Sequence, residues 1–308
     1  MASARASLPQ QDGGTFIVHT GLETDLIFNH GVDLPGFASF PLLDNEPGRA
    51  HLRRACGEIV EVARNAGVGA ILESATWMAN RDRAAGVGYS AEALARINRE
   101  AIELMEPLRH AAGIQVILSG NLGPRSDAYA PTEQMSADDA ADYHSQQIAA
   151  FADTSADLVS GYTLAYVAEA IGMAKAAQKH DMPIVLSFTV ETDGRLPTGD
   201  GVNQAIAAVE EATGGYPAYY MINCAHPDHF GSVLATAPPS DRLKGIVVNA
   251  SRCSHAELDE AETLDDGDPV ELGEQVAALQ SQFPQITVIG GCCGTDARHL
   301  AEMARRAR

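Results

Sequence analysis

Short runs of consecutive apolar residues recur along this chain, separated by longer stretches whose apolar positions repeat with helical spacing. Eight runs read as strands, at 15–19, 69–73, 115–119, 157–161, 183–188, 219–223, 245–249 and 286–289. Most are continuously apolar rather than alternating, the pattern of a parallel strand covered on both faces. Between several of them lie Ala-rich amphipathic stretches, at 48–65, 91–112, 137–152 and 167–180. Strands alternating with helices over 308 residues predict an α/β chain folded as a (β/α)8 barrel. No Pro/Ser-rich linker or break in composition divides the sequence. A single barrel domain is therefore expected over 13–308, after a flexible polar start over 1–12.

Charge narrows the partners. The formal net charge is -20, from 41 acidic against 21 basic side chains. Nucleic acids and anionic membranes require concentrated Lys and Arg, so neither is an expected partner. No run of about 18 apolar residues is present to span a membrane, and 1–12 lacks the apolar stretch of a signal peptide. Five cysteines, two of them adjacent, do not suggest an extracellular disulfide framework. A reducing cytoplasm is the expected location. No Gly-x-Gly-x-x-Gly motif opens a βα unit, so no dinucleotide site is expected. The sequence leaves a homo-oligomer open.

The candidate chemistry lies in those cysteines. Cys292 and Cys293 are adjacent, and successive side chains on a strand point to opposite faces, so both cannot be ordinary core residues of one strand. Flanking glycines allow a tight turn that aims both sulfurs at one point. A third thiolate, from Cys224, would complete a three-cysteine metal site with an open fourth position, as catalytic zinc requires. A strained vicinal disulfide and three buried thiols that never meet are the alternatives. The barrel favours the metal, because active sites gather at the C-terminal ends of the strands. Cys224 follows the sixth strand and Cys292 and Cys293 the eighth, two strands apart on one rim. Cys56, inside the first long helix, reads as a core thiol, and Cys253, after the seventh strand, as a bystander.

With these motifs the chain resembles the homocysteine S-methyltransferase family, zinc-dependent barrels that include betaine- and S-methylmethionine-dependent enzymes. The resemblance rests on Gly290-Gly291-Cys292-Cys293-Gly294-Thr295 and Asn223-Cys224. Ser119-Gly120-Asn121-Leu122-Gly123-Pro124 and Ser187-Phe188-Thr189 fall in matching order. It extends from about Phe16 to the last helix. It implies Zn2+ held by Cys224, Cys292 and Cys293. It also implies methyl transfer from a sulfonium or ammonium donor (S-methylmethionine, betaine or S-adenosylmethionine type) to a small thiol. Homocysteine is the default acceptor, giving methionine. A different thiol or selenol acceptor, or a barrel that binds zinc without catalysis, are the competing readings. Two positions depart from the pattern. Relatives usually carry Asp-Gly at the end of the first strand, where this chain has His19-Thr20. They carry Glu before Thr after the fourth strand, where it has Tyr162-Thr163. Both acids thought to read the substrate ammonium are thus absent.

Other rim residues fill out this chemistry. Glu73 ends the second strand, where it either faces the pocket or forms a structural ion pair, and it could replace the missing acids. Glu23 and Asp25 are further candidates. Asn121 and Asn249 could bind a substrate carboxylate or cap loops. Trp77, Tyr162, Tyr166 and Phe188 lie near the rim, where aromatic faces hold an onium methyl group by cation–π attraction or simply close the barrel. Transfer to a thiolate needs no general base, although His19, His226 or His255 could carry the thiol proton away.

Overall fold

The structure, a computed structural model, describes residues 7–307. Eight parallel strands close into a barrel in sequence order: β1 (Phe16–Ile17), β2 (Gly69–Glu73), β3 (Val116–Leu122), β4 (Leu158–Leu164), β5 (Ile184–Thr189), β6 (Tyr219–Ala225), β7 (Leu243–Val248) and β8 (Val288–Gly291). The seam closes where Phe16 and Ile17 pair with Gly69 and Ala70 on one side and with Val288 and Ile289 on the other. Each predicted run is a strand. β3, β4 and β6 continue past their predicted ends through Asn121, Thr163 and Cys224. There the side chains turn polar towards the rim while the backbone ladder persists, so apolar pattern alone stops short. The four predicted helices are Glu46–Ala66, Ala91–Ala111, Ala137–Ala152 and Val167–Lys179. Among the described residues no helix is long and apolar enough to cross a membrane.

The continuous apolar runs reflect two separate cores. Inward residues Phe16, Val18, Ile71, Ile117, Leu158, Val185, Met221, Val247 and Val288 fill the barrel lumen. Their outward neighbours, such as Ile17, Leu72, Leu118, Val159, Leu186, Ile222 and Ile246, pack against the surrounding helices. Small residues bring those helices close: a Cβ on Gly172 would strike Ala140 of the neighbouring helix. Of the expected flexible start, residues 1–6 lie outside the described residues. The part that follows is packed: Leu8 joins the lumen cluster, and Gln10 is buried with its side-chain amide donating to the Tyr219 hydroxyl at 3.4 Å. An apolar residue in a polar stretch thus plugs the barrel floor.

At the opposite, C-terminal rim two non-glycine residues within the strands adopt left-handed backbone conformations, Thr163 at φ 61° and Cys224 at φ 57°. Each lies at a register shift, one between β4 and β5 and one between β6 and β7. Asn223 ties the two together. Its Oδ1 accepts from the Thr163 backbone N–H at 3.0 Å and from the Ser187 hydroxyl at 2.7 Å, and its Nδ2 donates to Thr163 Oγ1 at 2.9 Å. Asn223→Ala leaves a buried N–H and a hydroxyl unpaired beside strained backbone. It should lower unfolding free energy by about 2–4 kcal/mol in urea titrations, whereas a loss under about 0.5 kcal/mol would mean the bulges hold themselves.

Candidate active site

The bulge at Cys224 redirects its side chain. Along β6 the residues at 219, 221 and 223 face inward, so an unbroken strand would send Cys224 out towards the helices. Left-handed backbone turns it to the rim instead. Its carbonyl is fixed by Asn249 Nδ2 at 3.1 Å and His255 Nε2 at 2.6 Å. Cys292 and Cys293 sit in a tight turn at the end of β8. Thr295 donates its N–H (3.1 Å) and hydroxyl (2.7 Å) to the Cys292 carbonyl. Ala250 N–H meets the Cys293 carbonyl at 3.1 Å. Glycine is required here: Gly294 has φ +78°, and a Cβ on Gly291 would collide with Thr295.

Together these devices bring the three sulfurs within 4.8 Å of one another. All five cysteines are free thiols. Cys224 Sγ lies 3.7 Å from Cys293 Sγ and 2.7 Å from Cys292 Sγ. The first separation matches the spacing of about 3.8 Å expected for thiolates on one tetrahedral ion at about 2.3 Å. The second is shorter than that spacing, so the fit to an ion rests on three free sulfurs within 4.8 Å of one another. The donor set therefore fits one soft divalent ion. Cys224 is the acidic member of the group, its pKa lowered by hydrogen bonds from the Cys292 and Cys293 thiols and then from the Tyr129 hydroxyl at 3.1 Å. Burial pushes the Cys56 thiol up to about 12, in keeping with a core residue. Cys253 is exposed.

The sulfurs line a cleft together with His19, Glu73, Trp77, Asn121 and Tyr162. Burial lowers His19 to about 4, so its ring is neutral near pH 7, and it packs edge-on against Tyr162 with centroids 4.8 Å apart. Glu23 also reaches the cleft and accepts from Ser39 at 2.7 Å, whereas Asp25 turns to Asn29 and His30. Trp77 donates to the Tyr162 carbonyl at 3.4 Å, an approach allowed because position 123 is glycine.

Several expected residues are elsewhere. Phe188 is not in the cleft: strand alternation puts Val185 and Ser187 inward, so Phe188 faces the helices and stacks on Tyr220 at 6.3 Å. The Tyr166 hydroxyl accepts from the Met135 N–H. His226 caps the helix Pro227–Thr236 through Nδ1. His255 braces the Cys224 carbonyl and meets Glu191 at 3.2 Å. Sequence reasoning passed over Tyr129, in the loop after β3, which stacks on His255 at 3.9 Å and reaches Cys224. It also passed over Phe28 and Phe37, which stand exposed at the adjoining mouth. An exposed aromatic in a loop after a barrel strand was the available signal.

Glu73 is buried, and desolvation raises its pKa from 4.5 to about 7, against the neighbouring hydroxyls of Ser119, Ser160 and Tyr162, which lower it; the Tyr162 hydroxyl makes the hydrogen bond, to Oε1 at 3.3 Å. A carboxyl that binds its proton more tightly when folded contributes most below the unfolded pKa. That contribution is lost as pH rises through the window from 4.5 to about 7. Glu73→Gln, neutral throughout, should therefore gain stability over wild type by up to about 3 kcal/mol between about pH 5 and 8. Paired thermal melts across that range test this, and a constant difference would show that Glu73 does not change its ionisation there.

Relatives support the same picture. The sequence pattern of the family described as Homocysteine S-methyltransferase matches residues 21–307. The fold superposes on crystal structures of the homocysteine methyltransferase MmuM from Escherichia coli. For the metallated form the TM-score is 0.76 at 20% identity, over 99% of this chain and 100% of that one; for the oxidized form it is 0.76 at 20%, over 100% of each. Methionine synthases of Mycobacterium leprae and Mycobacterium tuberculosis are each 28% identical over 133 residues, 40% of this chain but 10% of their own length. The chain thus matches about a tenth of those curated relatives. With nearly its whole length covered by the family pattern, the chain belongs to the homocysteine S-methyltransferase family, a class of methyltransferases.

Proposed function

We propose that this protein moves a methyl group from an onium donor to a small thiol, homocysteine by default, with one Zn2+ held by Cys224, Cys292 and Cys293. The observation that carries the reading is the convergence of three free sulfurs on one wall of a single rim cleft. When bound, zinc supplies acidity to the acceptor thiol, whose free pKa of about 8.5 leaves it mostly protonated near neutrality. The rest of the task is alignment. A sulfur–carbon bond forms as the donor's bond to the same methyl carbon breaks. Its electron pair stays on the donor sulfur or nitrogen, which becomes neutral. No oxidant and no covalent enzyme intermediate is required.

Cleft residues divide between the two substrates. Trp77, Tyr129 and Phe37 offer aromatic faces to a methyl-bearing cation, each contact worth about 0.5–2 kcal/mol. Of the polar lining, Glu73, Asn121 and Tyr162 are assigned to the acceptor. Of the three histidines considered for proton removal, His19 lines the cleft, but burial lowers its pKa to about 4, so it serves as a neutral hydrogen-bond acceptor and not as the base for the thiol proton. Three free thiols at this spacing suit a reducing compartment such as the cytoplasm.

Metal analysis of the reduced protein should give about one zinc per chain, with most of it lost in Cys224→Ser, Cys292→Ser and Cys293→Ser but kept in Cys56→Ser. Full zinc retention by the Cys224 variant would overturn the ligand assignment. On adding the acceptor thiol, X-ray absorption should show a fourth sulfur joining the metal. An unchanged sulfur count under saturating acceptor would leave zinc a structural role and remove thiol activation from the mechanism.

A further inference from the structure

Three polar atoms in the cleft have no partner in the protein. They are Glu73 Oε2, Asn121 Oδ1 and His19 Nδ1, each buried from solvent and each belonging to a residue that lines the same cavity as the sulfurs. A buried acceptor left unpaired costs about 1–3 kcal/mol, and more for a carboxylate. Native structures rarely leave such atoms without a purpose. Among the described residues no Lys or Arg lines this cavity, so none of them supplies the carboxylate with a counter-charge there. These groups await a cation that can donate several hydrogen bonds.

Local packing shows that Glu73 is built for this position. It ends β2 in an inward-facing slot, paired in register with Ser119. Ser119 and Ser160 occupy the layer beside it and bond to each other at 2.7 Å. Both are small, which leaves room for a long side chain to rise past them. The Tyr162 hydroxyl then donates to Glu73 Oε1 at 3.3 Å, fixing the carboxylate while Oε2 stays free.

We propose that Glu73, oriented by Tyr162 and assisted by Asn121, seats the protonated amino group of an α-amino thiol, and so determines which acceptor this site takes. The proposal rests on the methyl-transfer reading above. Hydrogen bonding identifies the ligand group. A quaternary ammonium or sulfonium has no N–H, so the donor's onium centre cannot satisfy these acceptors. A primary ammonium has three N–H groups and matches three unpaired acceptors. A neutral His19 can serve as one of them, since it retains a lone pair on one ring nitrogen. The ion pair would form in a buried site, where charge-assisted hydrogen bonds are stronger than at the surface.

The test is calorimetric binding to zinc-loaded protein of L-homocysteine, of 4-mercaptobutanoate (the same skeleton without the amine) and of L-methionine. Wild type should prefer homocysteine. Glu73→Gln should weaken homocysteine and methionine roughly 10- to 100-fold, with 4-mercaptobutanoate unchanged or tighter. Moving the acid to the neighbouring position on β4, in the double variant Glu73→Gln/Tyr162→Glu, should recover much of the homocysteine affinity, which a merely structural role would not do. Equal losses for both thiols, or a wild-type preference for the amine-free thiol, would overturn the proposal. The wild-type comparison decides even where a variant does not fold. Methionine separates this idea from the one beneath it. Methionine binding that depends on Glu73, with no added sulfur at the metal in the presence of homocysteine, would sink the methyl-transfer reading and leave the ammonium seat standing.

Discussion

The rim of this barrel depends on one side chain, Asn223. Strand geometry sends alternate residues to opposite faces, and a cluster of sulfurs from β6 and the turn after β8 needs Cys224 to break that rule. It does so by adopting a left-handed backbone, which a non-glycine residue holds only when its surroundings impose it. Asn223 supplies part of that constraint by gripping Thr163, the matching strained residue on β4, and Ser187 on β5. Asn249 and His255 supply the rest from the β7 side by holding the Cys224 carbonyl.

Electrostatics in the cleft follow from the same enclosure. Burial keeps His19 neutral and raises the pKa of Glu73. Cys224 instead becomes acidic, chiefly because the Cys292 and Cys293 thiols donate to it.

Much of the fold was legible because a parallel barrel repeats one simple pattern. Strands covered on both faces need unbroken apolar runs, and the helices between them need amphipathic ones. The Gly-Gly-Cys-Cys-Gly-Thr turn was legible too, since adjacent cysteines flanked by glycine make little sense inside a strand. Phe188 shows the limit of reading by proximity: it ends a strand near the rim, yet alternation from Val185 and Ser187 sends it to the outer core. That parity was available in the sequence and was outweighed by its aromatic character. Tyr129 was harder to find, because nothing local links a loop tyrosine after β3 to a cysteine on β6.

The sequence by itself thus determined the eight strands, their order, and the placement of three cysteines at the ends of two of them, because those features follow from local pattern and from a connection rule that leaves little choice. Tertiary structure alone decided where side chains point at the rim. The direction of Cys224 depends on hydrogen bonds from residues 223, 249 and 255 to partners on other strands, and the unpaired state of Glu73 Oε2 depends on which groups the closed barrel does and does not bring near it. Those are sums over contacts distant in the chain, and no local pattern of residues records them.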